Sequence, residues 1–256
     1  MGIQKWAVGA LSALALATAS HAAGFVNGGF EDGTTNGWTE GGATRNADLS
    51  DLVPSNYLNG AAGRSSVVSA GPDPVVGAAL GSIVYSGNSA FRVEDTTDGG
   101  YLSVISQTVN NYTDANIFFA WKAVLEGAHS AEQAAGMKIE LVDLTANGGL
   151  GETAIPRIYS AEFSSVDGRF SQQGVYYYTP DWQIEQLTIV ASRQGHDFRL
   201  TVLAADCDPT AHLGYVYLDG FGSVTPPPTD VPGPATALLA GTALLGLWGV
   251  RRRKQA

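Results

Sequence analysis

The chain has 256 residues, with 14 Lys plus Arg against 24 Asp plus Glu, a formal net charge of −10. Such an acidic chain repels nucleic acid and anionic lipid surfaces, so no nucleic-acid partner is expected. The single cysteine, Cys207, excludes an intramolecular disulfide, which leaves a hydrophobic core, with or without a metal, to hold the fold.

In chain order, Lys5 precedes an apolar stretch over residues 6–17 that is too short to span a bilayer. Ser20-His21-Ala22 then supplies small residues at the positions a signal peptidase reads. Residues 1–22 are therefore expected to be a secretory signal peptide, cut after Ala22. The exported body runs over 23–225, enough for one large domain with its own core. Five of the 14 cations (Lys5, Arg251, Arg252, Arg253 and Lys254) lie in the end segments. Residues 23–234 thus carry nine cations against all 24 carboxylates, a formal charge of −15. That charge suits a divalent cation or solubility outside the cell, and for most of these carboxylates a solvated acidic surface is the plainer reading.

Within the body, the 32 glycines of the chain help break it into short apolar runs joined by turns. The runs predict strands over 90–94, 102–109, 116–125, 137–144, 157–163, 174–178, 184–191, 198–204 and 215–224. Lys138-Ile139-Glu140-Leu141-Val142 and Phe198-Arg199-Leu200-Thr201-Val202 alternate apolar with polar, as in an antiparallel sandwich with one buried and one wet face. Residues 128–135 read as a short helix or an exposed loop. Residues 44–83 read as a long loop system with one or two strands. The expected fold class is all-β, an antiparallel β-sandwich.

Past Thr225 come a linker, Pro226-Pro227-Pro228, and then Val231-Pro232-Gly233-Pro234. An apolar run over 235–250 follows, and Arg251-Arg252-Arg253-Lys254 closes the chain in a basic tail over 251–256. The run is short of the ~20 residues of a comfortable bilayer helix but comes within reach when flanking arginines snorkel. The cations hold that end on the cytoplasmic side. This order of parts resembles the PEP-CTERM sorting signal of Gram-negative bacteria, in which Pro-Glu-Pro precedes a transmembrane helix and an Arg-rich end. Gly233 stands here where that family has Glu. The resemblance implies recognition by an exosortase-type processing enzyme, with an inner-membrane intermediate before release to the cell surface or extracellular matrix. The alternative is a plain C-terminal anchor.

The body opens with Phe25-Val26-Asn27-Gly28-Gly29-Phe30-Glu31, followed by Gly37-Trp38. Its middle has Ser86-Gly87-Asn88-Ser89-Ala90-Phe91-Arg92-Val93 and Ile105-Ser106-Gln107-Thr108-Val109, and it closes with Gly214-Tyr215-Val216-Tyr217-Leu218-Asp219. This set, in this order, resembles the carbohydrate-binding-module jelly rolls, also called galactose-binding-like domains. The resemblance implies a jelly roll whose first and last strands lie side by side. It also implies a structural Ca²⁺ held by Glu31 and Asp219, with oxygens around Asn27 and near Asn88 filling its shell. Otherwise Glu31 caps a turn and Asp219 is a strand-end surface residue. Trp38 and Trp121 are expected in the core. Trp182, with Tyr176 and Tyr178 just before it, offers an aromatic platform for a sugar ring, although tyrosine-rich strands also pack ordinarily in sandwiches.

Cys207 and His212 lie in a segment that looks like one found in bacterial surface proteins. They invite a nucleophile–base reading, but Asp206 and Asp208 flank the thiol and oppose a thiolate. A Cys–His metal site would need more ligands. No Ser-centred elbow or phosphate loop is present. The expectation is therefore an exported, non-enzymatic envelope or matrix protein with a structural or adhesive role. The alternatives are a carbohydrate-binding module engaging extracellular polysaccharide and, further off, a thiol or glycoside hydrolase.

Overall fold

The computed structural model describes residues 24–224 apart from 62, 128–129, 131, 161–166 and 209–211. The expected signal peptide, the linker, the sorting motif at Pro232, Gly233 and Pro234, the apolar run over 235–250 and the basic end at Arg251, Arg252 and Arg253 lie outside the described residues. Among the described residues no helix is long and apolar enough to cross a membrane.

Twelve strands follow in order: β1 Thr39–Thr44, β2 Ser66–Ser69, β3 Ser89–Val93, β4 Tyr101–Tyr112, β5 Asn116–Glu126, β6 Gly136–Asp143, β7 Glu152–Ser160, β8 Ser171–Gln173, β9 Tyr176–Tyr178, β10 Gln183–Thr188, β11 His196–Ala205 and β12 Gly214–Asp219. One sheet runs β1-β4-β11-β6-β7. The other runs β2-β3-β12-β5-β9-β8, with β10 also paired to β5. All the pairings are antiparallel.

The period of two in the strands builds the core between the sheets. On β11, Phe198, Leu200, Val202 and Ala204 point inward to meet Phe119, Trp121, Ala123 and Leu125 of β5 and Val216 and Leu218 of β12. Trp121 is fully buried and Trp38 nearly so. Trp38 packs against Phe25, Phe30 and Phe221, with its ring 4.7 Å from that of Phe221.

The outward faces depart from the expected wet alternation, because loops cover part of each. Residues 45–58 lie over the five-stranded sheet and bury Leu102, Val104, Leu203 and Ala205 beneath Leu49 and Leu52. Lys138 therefore does not reach water. Its ammonium donates to the carbonyls of Ser50 and Leu52, and burial lowers its pKa. On the other sheet, Val76, Leu80 and Ile83 cover Tyr215 and Tyr217, whose hydroxyls both donate to Asp73.

Several strand boundaries also differ from the sequence reading. β1 is hidden by its glycines: a Cβ on Gly41 would lie 2.1 Å from the Tyr57 carbonyl oxygen, so the strand keeps Gly to let the covering loop approach. β7 starts at Glu152 rather than residue 157. Pro156 is tolerated within it because β7 is an edge strand, paired only with β6. β12 stops at Asp219 instead of running to 224, since Gly220 and Gly222 take φ of 68° and 73°. The described part of 128–135 is a turn, with Ala134 and Ala135 buried rather than exposed.

Candidate functional site

The expected pairing of first and last strands does not occur. β1 pairs with β4 in one sheet, while β12 lies between β3 and β5 in the other. The opening segment 25–38 is a series of turns, with Asn27 at φ 50° and Phe30 at φ 57°. It reaches the end of β12 by turn docking: Phe221 N–H donates to the Gly28 carbonyl at 3.0 Å. A Cβ on Gly28 would sit 2.3 Å from the Phe221 carbonyl oxygen, so only glycine permits the contact.

That docking brings Glu31 beside Asp219. Glu31 accepts from the backbone N–H of Asn88 and of Ser89, each at 3.0 Å, and from the Asn88 side-chain amide at 3.4 Å. These bonds, the Asn88 N–H first, pull its pKa down. Asp219 is fully buried, and its Oδ2 accepts from the N–H groups of Tyr85 and Ser86 at 2.9 and 3.0 Å. Its Oδ1 is buried with no partner. Burial, with the nearby Glu31 charge as a lesser cause, pushes the Asp219 pKa up to about 6.

Two glycines keep the space open. A Cβ on Gly29 would contact Asp219 Oδ1 at 3.5 Å and the Glu31 side chain at 3.6 Å. One on Gly87, at φ 71°, would collide with the Glu31 carboxylate at 2.4 Å. An orphaned buried oxygen, a second carboxylate and glycine-lined room fit a hard cation that takes oxygen ligands. The protein side supplies only two carboxylates: among the described residues no group of three or more His, Cys, Asp or Glu side chains is placed to hold a metal. Asn27 contributes its side chain elsewhere, donating to Asp32 and to the Thr34 carbonyl at 2.8 Å. Its own carbonyl already accepts from Phe30 and Trp38.

The aromatic candidates gather on the outward side of the other sheet. Tyr176 and Tyr178 face outward from β9, and Trp182 precedes β10. All three are half-buried against the cluster of Val76, Leu80, Tyr215 and Tyr217. The Trp182 indole N–H donates to the Ser82 carbonyl at 3.1 Å, which fixes the ring. Lys122 lies 5.8 Å from its centre. Tyr85, which the sequence reading did not single out, stands edge-on to Trp182 at 5.7 Å and is 40% exposed. Tyr85 also gives its backbone N–H to Asp219, so the carboxylate site and the aromatic strip share one loop.

Cys207 and His212 lie side by side. Cys207 N–H donates to the His212 carbonyl at 2.9 Å, and Sγ lies 3.1 Å from His212 Nδ1. The thiol is fully buried.

No protein family and no curated protein matches the chain by sequence. Among solved structures, the chain is similar to the carbohydrate-binding module TmCBM61 in complex with β-1,4-galactotriose, at 14% identity and TM-score 0.37 over 77% of this chain and 95% of that one. It is similar to a non-crystalline-cellulose-specific carbohydrate-binding module, CBM28, at 13% identity and TM-score 0.41 over 77% and 92%. A third is the K1 cleaved adhesin domain of Lys-gingipain from Porphyromonas gingivalis W83, at 13% and 0.34 over 75% and 92%. Likeness at this level speaks to neither ligand nor activity, and the fold rests on the strand pairings themselves.

Proposed function

We propose that this is an exported, non-enzymatic surface or matrix protein that engages extracellular polysaccharide, with a structural or adhesive role. The observation that supports the reading is the aromatic strip. Trp182, Tyr176 and Tyr178 share the outward side of one sheet, remain half-exposed, and are held by packing and by the Trp182–Ser82 bond. A pyranose presents an apolar C–H face to such rings, and a fixed ring loses little freedom on binding. The rest of the reading comes from the termini: export by the signal peptide, and sorting by an exosortase-type enzyme through Pro232-Gly233-Pro234 and the basic end. Ca²⁺ is proposed as a structural ion at Glu31 and Asp219, with Asn88 beside it; bound there, it would neutralise the two carboxylates and hold the Tyr85 loop.

The test is an oligosaccharide array probed with the full chain, with and without calcium. At least one ligand is expected, and Trp182→Ala is expected to weaken it by about tenfold or more, the scale of one lost stacking contact. No binding anywhere on the array, or binding indifferent to Trp182→Ala, removes the aromatic-strip reading. For sorting, mass spectrometry of the mature surface protein should find the Arg251–Arg253 end absent; its retention means a permanent anchor.

A further inference from the structure

Buried polar atoms nearly always find a partner, so each exception asks for an explanation. Among the described residues two side-chain atoms are exceptions, Asp219 Oδ1 and Arg199 Nε. The first belongs to the cation site. The second lies on the opposite sheet and has no role so far.

The exported body carries nine Lys and Arg residues. Arg64, Arg157, Arg169 and Arg193 sit on carboxylates. Arg45, Arg92, Lys122 and Lys138 donate to backbone carbonyls. Arg199 alone, among the described residues, makes no ion pair and no hydrogen bond. In a body that holds so many more carboxylates than cations, an uncommitted guanidinium is a departure from the pattern. It offers donors in a rigid planar fork and matches carboxylate or sulfate oxygens two at a time.

Its place in the fold buries Nε but leaves the residue as a whole partly exposed. Arg199 stands on β11 in register with Thr108 of β4 and Val142 of β6. It points outward, because Phe198 and Leu200 on either side enter the core. One step along the strand, Ser106 and Thr201 are buried and bond each other at 3.0 Å. Glu140, on the same step, is taken by the Ser55 N–H of the covering loop. The cover ends there, and Thr108 is exposed beside a partly exposed Arg199.

We infer that Arg199 is an anion-reading contact on the outward face of the five-stranded sheet, binding a carboxylate or sulfate substituent of an acidic polysaccharide. This rests on the reading of the domain as a polysaccharide binder and adds a second surface, on the sheet opposite the aromatic strip.

The test is isothermal titration of the full chain with three probes of equal length: a neutral oligogalactoside, an oligogalacturonate and a sulfated oligogalactoside. At least one anionic probe is expected to bind more tightly than the neutral one. Arg199→Gln should remove that preference, a loss of about tenfold or more, and Arg199→Lys should restore only part of it, since a point charge replaces a fork. Whichever anionic probe depends on Arg199 names the substituent. Trp182→Ala should leave the anionic preference in place. If all three probes bind alike, or if Arg199→Gln keeps the preference with an unchanged melt, the inference is overturned while a Trp182-dependent neutral affinity still stands. If the chain binds none of the three and no other glycan, both readings fall. Should Arg199→Gln not fold, Arg199→Lys carries the test, and an anionic preference equal to that of the wild type would count against the fork.

Discussion

Two acidic pairs sit in different parts of the sandwich, and their chemistry diverges. Glu94 and Asp206 are both fully buried, yet every oxygen has a donor. Glu94 pairs with the Arg64 guanidinium and accepts from Ser103 at 2.7 Å, and Asp206 accepts from the Tyr101 and Gly214 N–H groups at 3.2 and 3.1 Å. Glu31 and Asp219 have no cation of their own, and one Asp219 oxygen is left bare. The first pair is closed by the chain. The second leaves Asp219 Oδ1 without a donor among the described residues. A buried carboxylate costs free energy unless it is paired, so the same local feature is satisfied in one place and, on the proposed reading, takes an ion in the other.

The largest effect should come from opening the closed pair. Arg64→Met removes the guanidinium, whose Cζ lies 4.1 Å from the centre of the Tyr101 ring, and strands Glu94 without its cation. Breaking a buried ion pair from one side costs ~3–5 kcal/mol, and Arg64 is 29% exposed on its side chain, so the lower end, about 3 kcal/mol, is expected. Urea unfolding at neutral pH measures it. Adding Glu94→Gln should recover much of the loss; a double variant as weak as the single one would mean that Arg64 acts through Tyr101 packing instead.

Closing the open pair comes next. An ion that binds only the folded form adds about 2.7 kcal/mol at a hundred times its dissociation constant. Calcium should therefore raise the melting temperature by several degrees at pH 7.5 and leave Asp219→Asn unmoved. Gly87→Ala should lose the response as well, because its Cβ enters the Glu31 carboxylate. Calcium-insensitive melts of the wild type would make Glu31 a loop clamp and nothing more.

The contrast was partly legible in sequence. The resemblance carried by the Asn-Gly-Gly-Phe-Glu opening and the Tyr-Leu-Asp close is what named Glu31 and Asp219. How they meet was not legible, since docking of a turn on a strand end is a tertiary contact with no period. Strands with strong alternation, such as β6 and β11, were readable. β1 was not, because Gly41 and Gly42 replace the branched residues that signal a strand, and the reason for those glycines lies in residues 57–61, beyond any local window. The closed pair is illegible for the same cause: Arg64, Glu94 and Asp206 are far apart in the chain, and each alone looks like a solvated charge. Arg199 looked like the polar half of an alternating strand, and only the bonding of the other eight cations sets it apart.

Titration sharpens the comparison further. Asp206 is pushed up to about 7, by burial first and then by the Glu94 charge, and Asp219 to about 6 by burial. An acid whose folded pKa exceeds its unfolded value of 3.8 holds its proton more tightly when folded. Each therefore favours the folded state increasingly as pH falls from above its folded pKa to below 3.8. Asp143 works the other way: despite burial, bonds from His196, Ala146 and Thr145 hold its pKa down, so its stabilisation is lost as pH falls through that lowered value. Without calcium the melting temperature should rise on going from pH 8 to about pH 5 and drop below about pH 4. Calcium should flatten the Asp219 share of that rise and leave the Asp206 share. A calcium-free profile that is flat between pH 5 and 8 would refute the cost assigned to both aspartates.

The smallest effect, and the most local, is at the thiol next to Asp206. Cys207 is fully buried, bonded through its N–H to the His212 carbonyl, with Sγ 3.1 Å from His212 Nδ1. Nucleophilic attack needs both a thiolate and access. Burial denies the second. Labelling of the native protein by an alkylating reagent at neutral pH should then wait on local opening, and run about a hundredfold or more slower than for the unfolded chain. The rate also reports on the closed pair, because Asp206 ties this segment to Tyr101 and Gly214. Arg64→Met should speed labelling by loosening that end, whereas calcium, acting through Asp219, should leave it unchanged apart from any gain in global stability. Rapid labelling of the wild type would mean that the segment is open in solution and that the thiol is available, and a reducible dimer on a non-reducing gel would show that it crosslinks.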